Sequence, residues 1–383
     1  MKFGSRWIAG CAAAIMALSI IGCSSADENP DLNATTPEWE SIPEDAQIAK
    51  TEEDKVDEAA TEATTEEEAS KELPEGTYRS ELTGLPISTS LQNQRPIAMM
   101  IDNDERAMPH YGAVDCDVVY EMLNSTDNNR ITRLMCVLKD WGSITQLGSI
   151  RSTRPTNIFL APEWNAVLCH DGGPFYNDQY WATNWAPPHF SGYFSRVNNG
   201  KATEFTEYCL QGEMAGRFSA AGVSTSYTAY PGDHFQFAEY GEEVDLSKES
   251  GAITASKAVL NFPHTNSQLI YNSSTKTYDY YEYGAPSKDG ITGATMSYKN
   301  VFLQSCSFNV YDEHGYLKYD IVNNGQPGYY LTDGYAIPIT WTKSSETAIT
   351  RYYDASGQQI TVNSGKSYIG ICPNDTWGSV TIQ

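Results

Sequence analysis

The sequence predicts a mixed α/β and α+β protein, in which an N-terminal α/β domain at residues 79–235 precedes a β-rich antiparallel domain at residues 240–383. Two observations predict this fold class. Between residues 146 and 170, two apolar runs flank a helix-like segment, which is typical of a strand–helix–strand crossover unit. After residue 320, short runs rich in Tyr, Ile, Val, Thr and Trp alternate with turn residues, which is typical of sequential hairpins.

The composition excludes two classes of protein. The chain has 383 residues with 49 acidic and 25 basic side chains, a formal net charge of -24. A chain this acidic has no global basic surface to neutralise phosphates, so we expect no nucleic-acid partner. A single uncharged apolar run, at the N-terminus, is too short to span a bilayer, which excludes a polytopic membrane protein.

The N-terminus is typical of a signal peptide, predicted at residues 1–22. Lys2 and Arg6 precede an uncharged run from Trp7 to Ile21, which Gly22-Cys23 follows. A small residue before a cysteine at this position resembles the bacterial lipobox, which implies that Cys23 is lipidated and becomes the mature N-terminus. We therefore expect an extracytoplasmic protein anchored to the outer face of the cell membrane. The alternative is an ordinary cleaved signal followed by an unrelated cysteine.

An acidic linker is predicted at residues 23–78. Within it, residues 24–76 carry 18 acidic and three basic side chains and few apolar ones. Such a chain cannot bury enough apolar surface to offset the entropy of ordering, so we predict a disordered spacer that mutual repulsion extends.

Buried strands are expected at five places in the first folded domain, each an apolar run bounded by turn residues. They are predicted at 96–101, 117–122, 130–138, 146–150 and 165–170. A helix is predicted between the last two, with Ser152 or Thr153 as its N-cap and Pro155 in its first turn. A second helix is predicted at 202–215, and strands of the second domain at 336–342, 348–353 and 359–362.

The crossover unit predicts a binding site at one sheet edge. Arg151 would follow one strand and His170 its parallel partner, and ligands of open α/β sheets bind at the carboxyl ends of strands. Guanidinium groups bind phosphate and carboxylate in a bidentate manner, and paired glycines expose backbone N–H groups. The candidate anion site comprises Arg133, Arg151, Arg154, His170, Gly172 and Gly173. The alternative is structural: Arg151 and Arg154 pair with Asp102, Asp104 or Asp171 and hold loops in place.

No catalytic or metal-binding motif stands out. We find no nucleophile elbow, P-loop or zinc-protease helix. The six cysteines after the linker lack metal-ligand spacing, and we interpret them as buried thiols without assigning their redox state. No catalytic residue, metal site or cofactor is predicted.

Several motifs in order carry a family resemblance. They are Gly84-Leu85-Pro86, Arg95 to Asn103, Asp117 to Glu121, Ile131-Thr132-Arg133, Ile150 to Pro155 and His170 to Gly173. Together they resemble the YerB-type lipoproteins of Gram-positive bacteria, a family of unknown function. The resemblance implies an envelope lipoprotein with two folded parts, and it supplies no reaction.

Three functional hypotheses remain open. The leading one is a non-enzymatic lipoprotein that binds an anionic cell-envelope ligand or a protein partner through the arginine cluster. The alternative is a phosphotransferase or hydrolase acting on a lipid pyrophosphate or cell-wall substrate, by distant analogy to LytR-type enzymes. In that case Asp102 would hold Mg²⁺ and His170 would act as acid or base. The third is a scaffold whose Tyr-rich second domain docks a partner enzyme.

Overall fold

A computed structural model describes residues 72–230 and 232–383. The signal peptide, Cys23 and most of the acidic linker lie outside the described residues. Strands β1 to β10 come from the first part of the described chain. They are Thr77–Arg79, Pro86–Ser88, Ile97–Asp102, Val118–Leu123, Thr132–Leu138, Gln146–Gly148, Val167–His170, His189–Ser191, Ser195–Arg196 and Glu207–Leu210.

Strands β11 to β26 make up most of the second part. They are Gln236–Phe237, Ile253–Thr254, Lys257–Val259, Gln268–Asn272, Thr277–Glu282, Ala285–Pro286, Ser297–Tyr298, Asn300–Cys306, Phe308–Val310, Leu317–Tyr319, Asn323–Thr332, Tyr335–Lys343, Arg351–Tyr353, Thr361–Val362, Ser367–Pro373 and Thr381–Ile382.

Helices are few and short. The α-helical segments α1 to α4 are Asp127–Arg130, Pro155–Leu160, Asp178–Trp181 and Glu213–Ala221. In α1, Asn128 and Asn129 have left-handed backbone angles, so this segment is a tight turn. The 3₁₀ segments are Thr89–Leu91, Glu105–Ala107, Ala113–Asp115, Trp141–Ser143, Ala161–Trp164, Phe175–Asn177, Thr203–Phe205, Leu246–Lys248 and Asn374–Ser379.

One large sheet joins the two parts of the described chain. Its eleven strands follow the order β12-β22-β21-β18-β25-β4-β5-β3-β7-β8, with β23 beside β22. The C-terminal strand β25 lies between β18 and β4 and runs parallel to both. Every residue of β3, β4 and β5 is buried, because both faces of this central region are covered. The structure is therefore strand-rich, and both predicted domains contribute to its main sheet.

The predicted crossover unit is not formed. The order strand β6, helix α2, strand β7 is present, but β6 pairs with β10 in a separate three-stranded sheet. Strand β7 instead runs parallel to β3 and β8. Sequence order alone could not show which strands pair, since each apolar run fits more than one neighbour. The second part is mostly antiparallel as predicted, apart from the parallel pairs of β25 and the parallel pair of β11 and β24.

Two helix predictions need correction. Helix α2 begins at Pro155 with Arg154 at the N-cap position, whose backbone N–H donates to Asn157 Oδ1 at 2.9 Å, so neither Ser152 nor Thr153 is the cap. The helix predicted at 202–215 is wrong. This stretch contains a 3₁₀ turn, strand β10 and only the start of α4, because Glu207 to Leu210 pair with β6 and β9.

A buried carboxylate ties the two parts together. Glu121 on β4 is fully buried and accepts hydrogen bonds from six side chains. They are Asn103 at 3.2 Å, Thr132 at 2.8 Å, Thr265 at 3.2 Å, Ser267 at 2.8 Å, Tyr280 at 3.0 Å and Tyr368 at 2.5 Å. Burial raises the pKa of Glu121, and the hydrogen bonds from Tyr368, Ser267 and Thr132 oppose that rise. Two donors come from the first part of the chain and four from the second.

We predict that Glu121→Ala destabilises the protein by about 3 kcal/mol or more, because several buried donors lose their acceptor. Glu121→Gln, which keeps an acceptor oxygen, should lose less. The exposed Glu105→Gln is the matched control and should change stability by less than about 0.5 kcal/mol. Urea denaturation followed by circular dichroism measures all three, and a Glu121→Ala variant as stable as the control would contradict this role.

Candidate anion-binding site

A polar cleft of about 380 Å³ lies at the end of β3, where Asp102 closes the strand. Three of the arginines predicted from the sequence line this cleft, namely Arg133, Arg151 and Arg154. Asp102 lines it too, so the structure brings these four side chains together. The cleft also contains Arg106, which the sequence analysis did not single out.

Strand pairing places Arg133 and Arg151 beside Asp102. Asp102 on β3 lies directly opposite Arg133 on β5, with Arg133 Nη2 and Asp102 Oδ1 3.7 Å apart. The chain around Ile150 runs along β3, where the Arg151 N–H donates to the Met100 carbonyl at 3.0 Å. This places Arg151 Nε 2.8 Å from Asp102 Oδ2. Asp102 is thus a buried counter-ion shared by two guanidinium groups.

Arg154 has no such counter-ion. No carboxylate of the described residues lies within 4.0 Å of its guanidinium, although the side chain is only 7% exposed. Its Nε donates to the Asn124 carbonyl at 3.0 Å and its Nη1 to Ser152 Oγ at 3.1 Å. The guanidinium carbon lies 4.5 Å from the centre of the Tyr316 ring. Burial, and next the neighbouring Arg133, lower the pKa of Arg154 to about 9, so the group is charged at neutral pH.

The acidic residues of the cleft balance the arginines in number. Asp102, Asp104, Asp127 and Glu204 face Arg106, Arg133, Arg151 and Arg154. Asp104 is held by Arg106 through two bonds of 2.8 Å, which lower the pKa of Asp104. Glu204 lies 3.0 Å from Arg151 Nη2, in a pair whose side chains are 43% and 27% exposed. The structural alternative is therefore realised for Arg151 but not for Arg154.

His170 and the paired glycines lie elsewhere. His170 is buried, its Nδ1 2.8 Å from the Gly172 carbonyl oxygen and its Nε2 3.0 Å from His189 Nδ1. The rings of His170 and His189 both stack on Trp181. Burial lowers the pKa of His170 to about 4, which makes it neutral at pH 7.

Gly172 and Gly173 do not line the arginine cleft either. Gly172 has a left-handed backbone and borders a shallow depression with Arg196. At Gly173 a Cβ would approach Asn177 Nδ2 to 2.2 Å and the Thr153 carbonyl oxygen to 3.1 Å, so a larger residue there would displace the Asn177 side chain. These residues shape the loop after β7 and form no part of the arginine cluster.

Asn124 and Tyr316 also line the cleft, and neither stood out in the sequence. Asn124 follows β4 and accepts from Arg133 Nη1 through Oδ1 at 3.0 Å. Tyr316 comes from the second part of the chain, where the Thr126 N–H donates to the Gly315 carbonyl at 3.0 Å and brings that turn against the cleft. No local pattern could have indicated Tyr316, because nearly two hundred residues separate it from Asn124.

Three further findings concern only residues 72–230 and 232–383. No group of three or more His, Cys, Asp or Glu side chains is arranged to hold a metal ion there. Within the same ranges, no helix has the length and apolar character needed to cross a membrane. The six cysteines of this region are all buried, and none of them forms a disulfide bond.

The fold and the cleft define a strand-rich protein of two sequence domains. Two family profiles match it: the N-terminal domain of a protein of unknown function, DUF3048, at residues 82–224, and the C-terminal domain of the same family at residues 258–369. The chain therefore belongs to the DUF3048 family.

A known relative confirms the predicted resemblance. The chain is 23% identical over 316 residues to the protein named "Putative lipoprotein YerB" of Bacillus subtilis (strain 168). The alignment covers 78% of this chain and 85% of the relative. The crystal structure of YerB protein from Bacillus subtilis matches the fold with a TM-score of 0.67 and 19% identity. That match covers 80% of this chain and 99% of the crystallised one.

We predict that His170 makes the protein acid-sensitive. The unfolded chain binds a proton at His170 near the ordinary pKa of about 6.5, whereas the folded protein binds it only near pH 4. Lowering the pH from 7 to 5 therefore favours the unfolded state, and His170 should account for about 2 kcal/mol of the lost stability.

Urea denaturation at pH 7 and pH 5 measures this contribution. In His170→Gln the loss between the two pH values should shrink by about 2 kcal/mol. His314→Gln, at an exposed position, is the matched control and should behave like the wild type. An unchanged acid-induced loss in His170→Gln would show that His170 does not carry this sensitivity.

Proposed function

We propose that the protein is an envelope lipoprotein, anchored through Cys23 to the outer face of the cell membrane, that binds an anionic envelope ligand in the cleft of Arg133, Arg151 and Arg154. The lipobox-like N-terminus and a relative named as a lipoprotein support the anchor. The geometry of the cleft supports the binding role.

One observation carries the proposal: Arg154 is a buried guanidinium that lines an open cleft without a carboxylate partner among the described residues. A buried charge is costly unless an opposite charge or several hydrogen bonds compensate it. Its Nε and Nη1 donate to oxygens of the protein, and Nη2 has no partner among the residues that the structure describes. An anion entering the cleft would supply the missing charge.

Arg151 can join that site by a local exchange. Its contact with Glu204 is solvent-exposed, and exposed ion pairs contribute only about 0–1 kcal/mol. A phosphate or carboxylate could therefore replace Glu204 on Arg151 Nη2, while the buried contact with Asp102 stays in place. Because Asp102 already faces two guanidinium groups, its position fits a counter-ion better than a Mg²⁺ ligand, which favours binding over phosphotransfer.

We predict opposite effects for two substitutions in the cleft, measured as pyrophosphate binding by calorimetry at low ionic strength. Arg154→Gln should weaken binding about tenfold or more, because one charge-assisted bond is lost. Glu204→Gln should strengthen it by about two- to fivefold, because Arg151 loses its competing partner.

Lys248→Gln is the matched control for the loss of one positive charge at an exposed position outside the cleft, and its binding should equal the wild type. Circular dichroism verifies that each variant is folded. If Arg154→Gln fails to fold, the exposed Glu204→Gln still decides the question. Weaker or unchanged pyrophosphate binding in Glu204→Gln would contradict the proposed site.

We predict that Cys23→Ser releases the protein from the membrane, because the lipid chains that anchor it are attached to that thiol. Membrane fractionation of the producing cells, with mass spectrometry of the mature N-terminus, measures the outcome. Cys11→Ser is the matched control and should remain membrane-bound. A Cys23→Ser variant that stays in the membrane fraction with an unmodified N-terminus would contradict lipid anchoring.

A further inference from the structure

A second cavity, of about 820 Å³, lies at the end of β3 opposite to the arginine cleft. Arg95 precedes β3, Asn165 precedes β7 and Pro188 precedes β8, and all three line it, so the cavity opens at the amino ends of this parallel group. Its far wall comes from the segment between β22 and β23, which includes Ile349, and from Arg351, the first residue of β23. It is separate from the arginine cleft at the carboxyl end of β3.

Arg95 is a fixed, buried cation in this cavity. Its side chain is 3% exposed, and its backbone is held by bonds from its N–H to the Thr225 carbonyl and from Trp141 Nε1 to its own carbonyl. Nε donates to the Asn165 carbonyl at 2.9 Å. Among the described residues, the two Nη nitrogens have no acceptor and no carboxylate lies within 4.0 Å. Burial lowers the pKa of Arg95.

The electrostatic balance of the cavity favours a negatively charged ligand. No Asp or Glu is among the described residues that line it, although the whole chain has a formal charge of -24. Arg351, on the far wall, is partly exposed and donates through Nη1 to the Asp233 carbonyl at 2.6 Å and the His234 carbonyl at 3.2 Å. Arg95 is the more deeply buried of the two cations, so a negative charge placed beside its guanidinium is stabilising.

The remaining walls indicate what else the ligand contains. Apolar side chains make up much of the lining: Trp185, Pro187, Pro188, Val223 and Ile349. Four hydroxyl side chains also line the cavity. Those of Ser224 and Thr228 already donate to the Ser226 carbonyl at 3.0 Å and to Asn165 Oδ1 at 3.3 Å, whereas those of Ser344 and Thr347 have no partner among the described residues. Apolar walls favour an apolar body, and the hydroxyl groups of Ser344 and Thr347 offer hydrogen bonds that a hydrocarbon chain would leave unused.

We propose that this cavity binds the C-terminal carboxylate of a short apolar peptide segment. A planar guanidinium matches a carboxylate in shape, and one carboxylate supplies the one charge that Arg95 lacks. The peptide groups next to the carboxylate pair with the hydroxyl groups, and apolar side chains fill the space between the prolines and Trp185.

A matched pair of peptides tests the proposal with the full-length protein. Fluorescence polarisation compares a labelled Gly-Ala-Leu-Ala peptide carrying a free C-terminal carboxylate with the same peptide carrying a C-terminal amide. The acid should bind about tenfold tighter or more, because the amide cannot form the charge-assisted pair with Arg95. Equal binding of the two peptides, or binding of neither, overturns the proposal.

Variants assign the binding to this cavity. Arg95→Gln should abolish the preference for the acid. Substitution of the buried Arg95 can impair folding, so a second variant changes the exposed rim of the cavity. Thr347→Glu places a repelling carboxylate there and should weaken binding of the acid peptide about fivefold or more, whereas Thr347→Gln should leave it unchanged. Lys248→Gln, which removes an exposed positive charge outside the cavity, should leave peptide binding unchanged. Unaltered acid binding in Thr347→Glu, or weakened acid binding in Lys248→Gln, overturns the assignment.

Discussion

The structure depends on one buried carboxylate, Glu121, and on the donors that satisfy it. A carboxylate without water is costly unless hydrogen bonds compensate it, so the strands that supply those donors must assemble around β4. Tyr368 belongs to β25, which enters the sheet beside β4 from the far end of the chain. Asn103 and Thr132 are the chain neighbours of Asp102 and Arg133, so the network that joins the two sequence domains also positions the arginine cleft.

The two cavities are consequences of the same parallel strands. One lies where β3 ends, at Asp102, and the other lies before β3 begins, at Arg95. Asp102 and Arg133 meet because of the antiparallel register between β3 and β5. Each cavity thus holds a buried guanidinium without a carboxylate partner in the described residues, in a chain that is otherwise strongly acidic.

Local sequence was enough to find most strands and the arginine cluster, because apolar runs and strand ends are local features. The partners of those strands are not local. Strands 146–148 and 167–170 were expected to pair, but packing places them in different sheets, and β10 replaces a predicted helix. His170 is the last residue of β7, yet its side chain contacts His189 instead of the arginine cleft. Tyr316 and Arg351 reach their sites only through long-range pairing, which no spacing rule reveals.

In the proposed site, an anion occupies the cleft beside Arg154 by replacing Glu204 on Arg151. A crystal structure of the protein soaked in pyrophosphate would reveal this exchange. We expect phosphate oxygens within hydrogen-bond distance of Arg154 Nη2 and Arg151 Nη2, with the Glu204 side chain displaced and Asp102 still on Arg151 Nε. If Glu204 stays on Arg151 and no anion lies between Arg151 and Arg154, the proposed site is wrong.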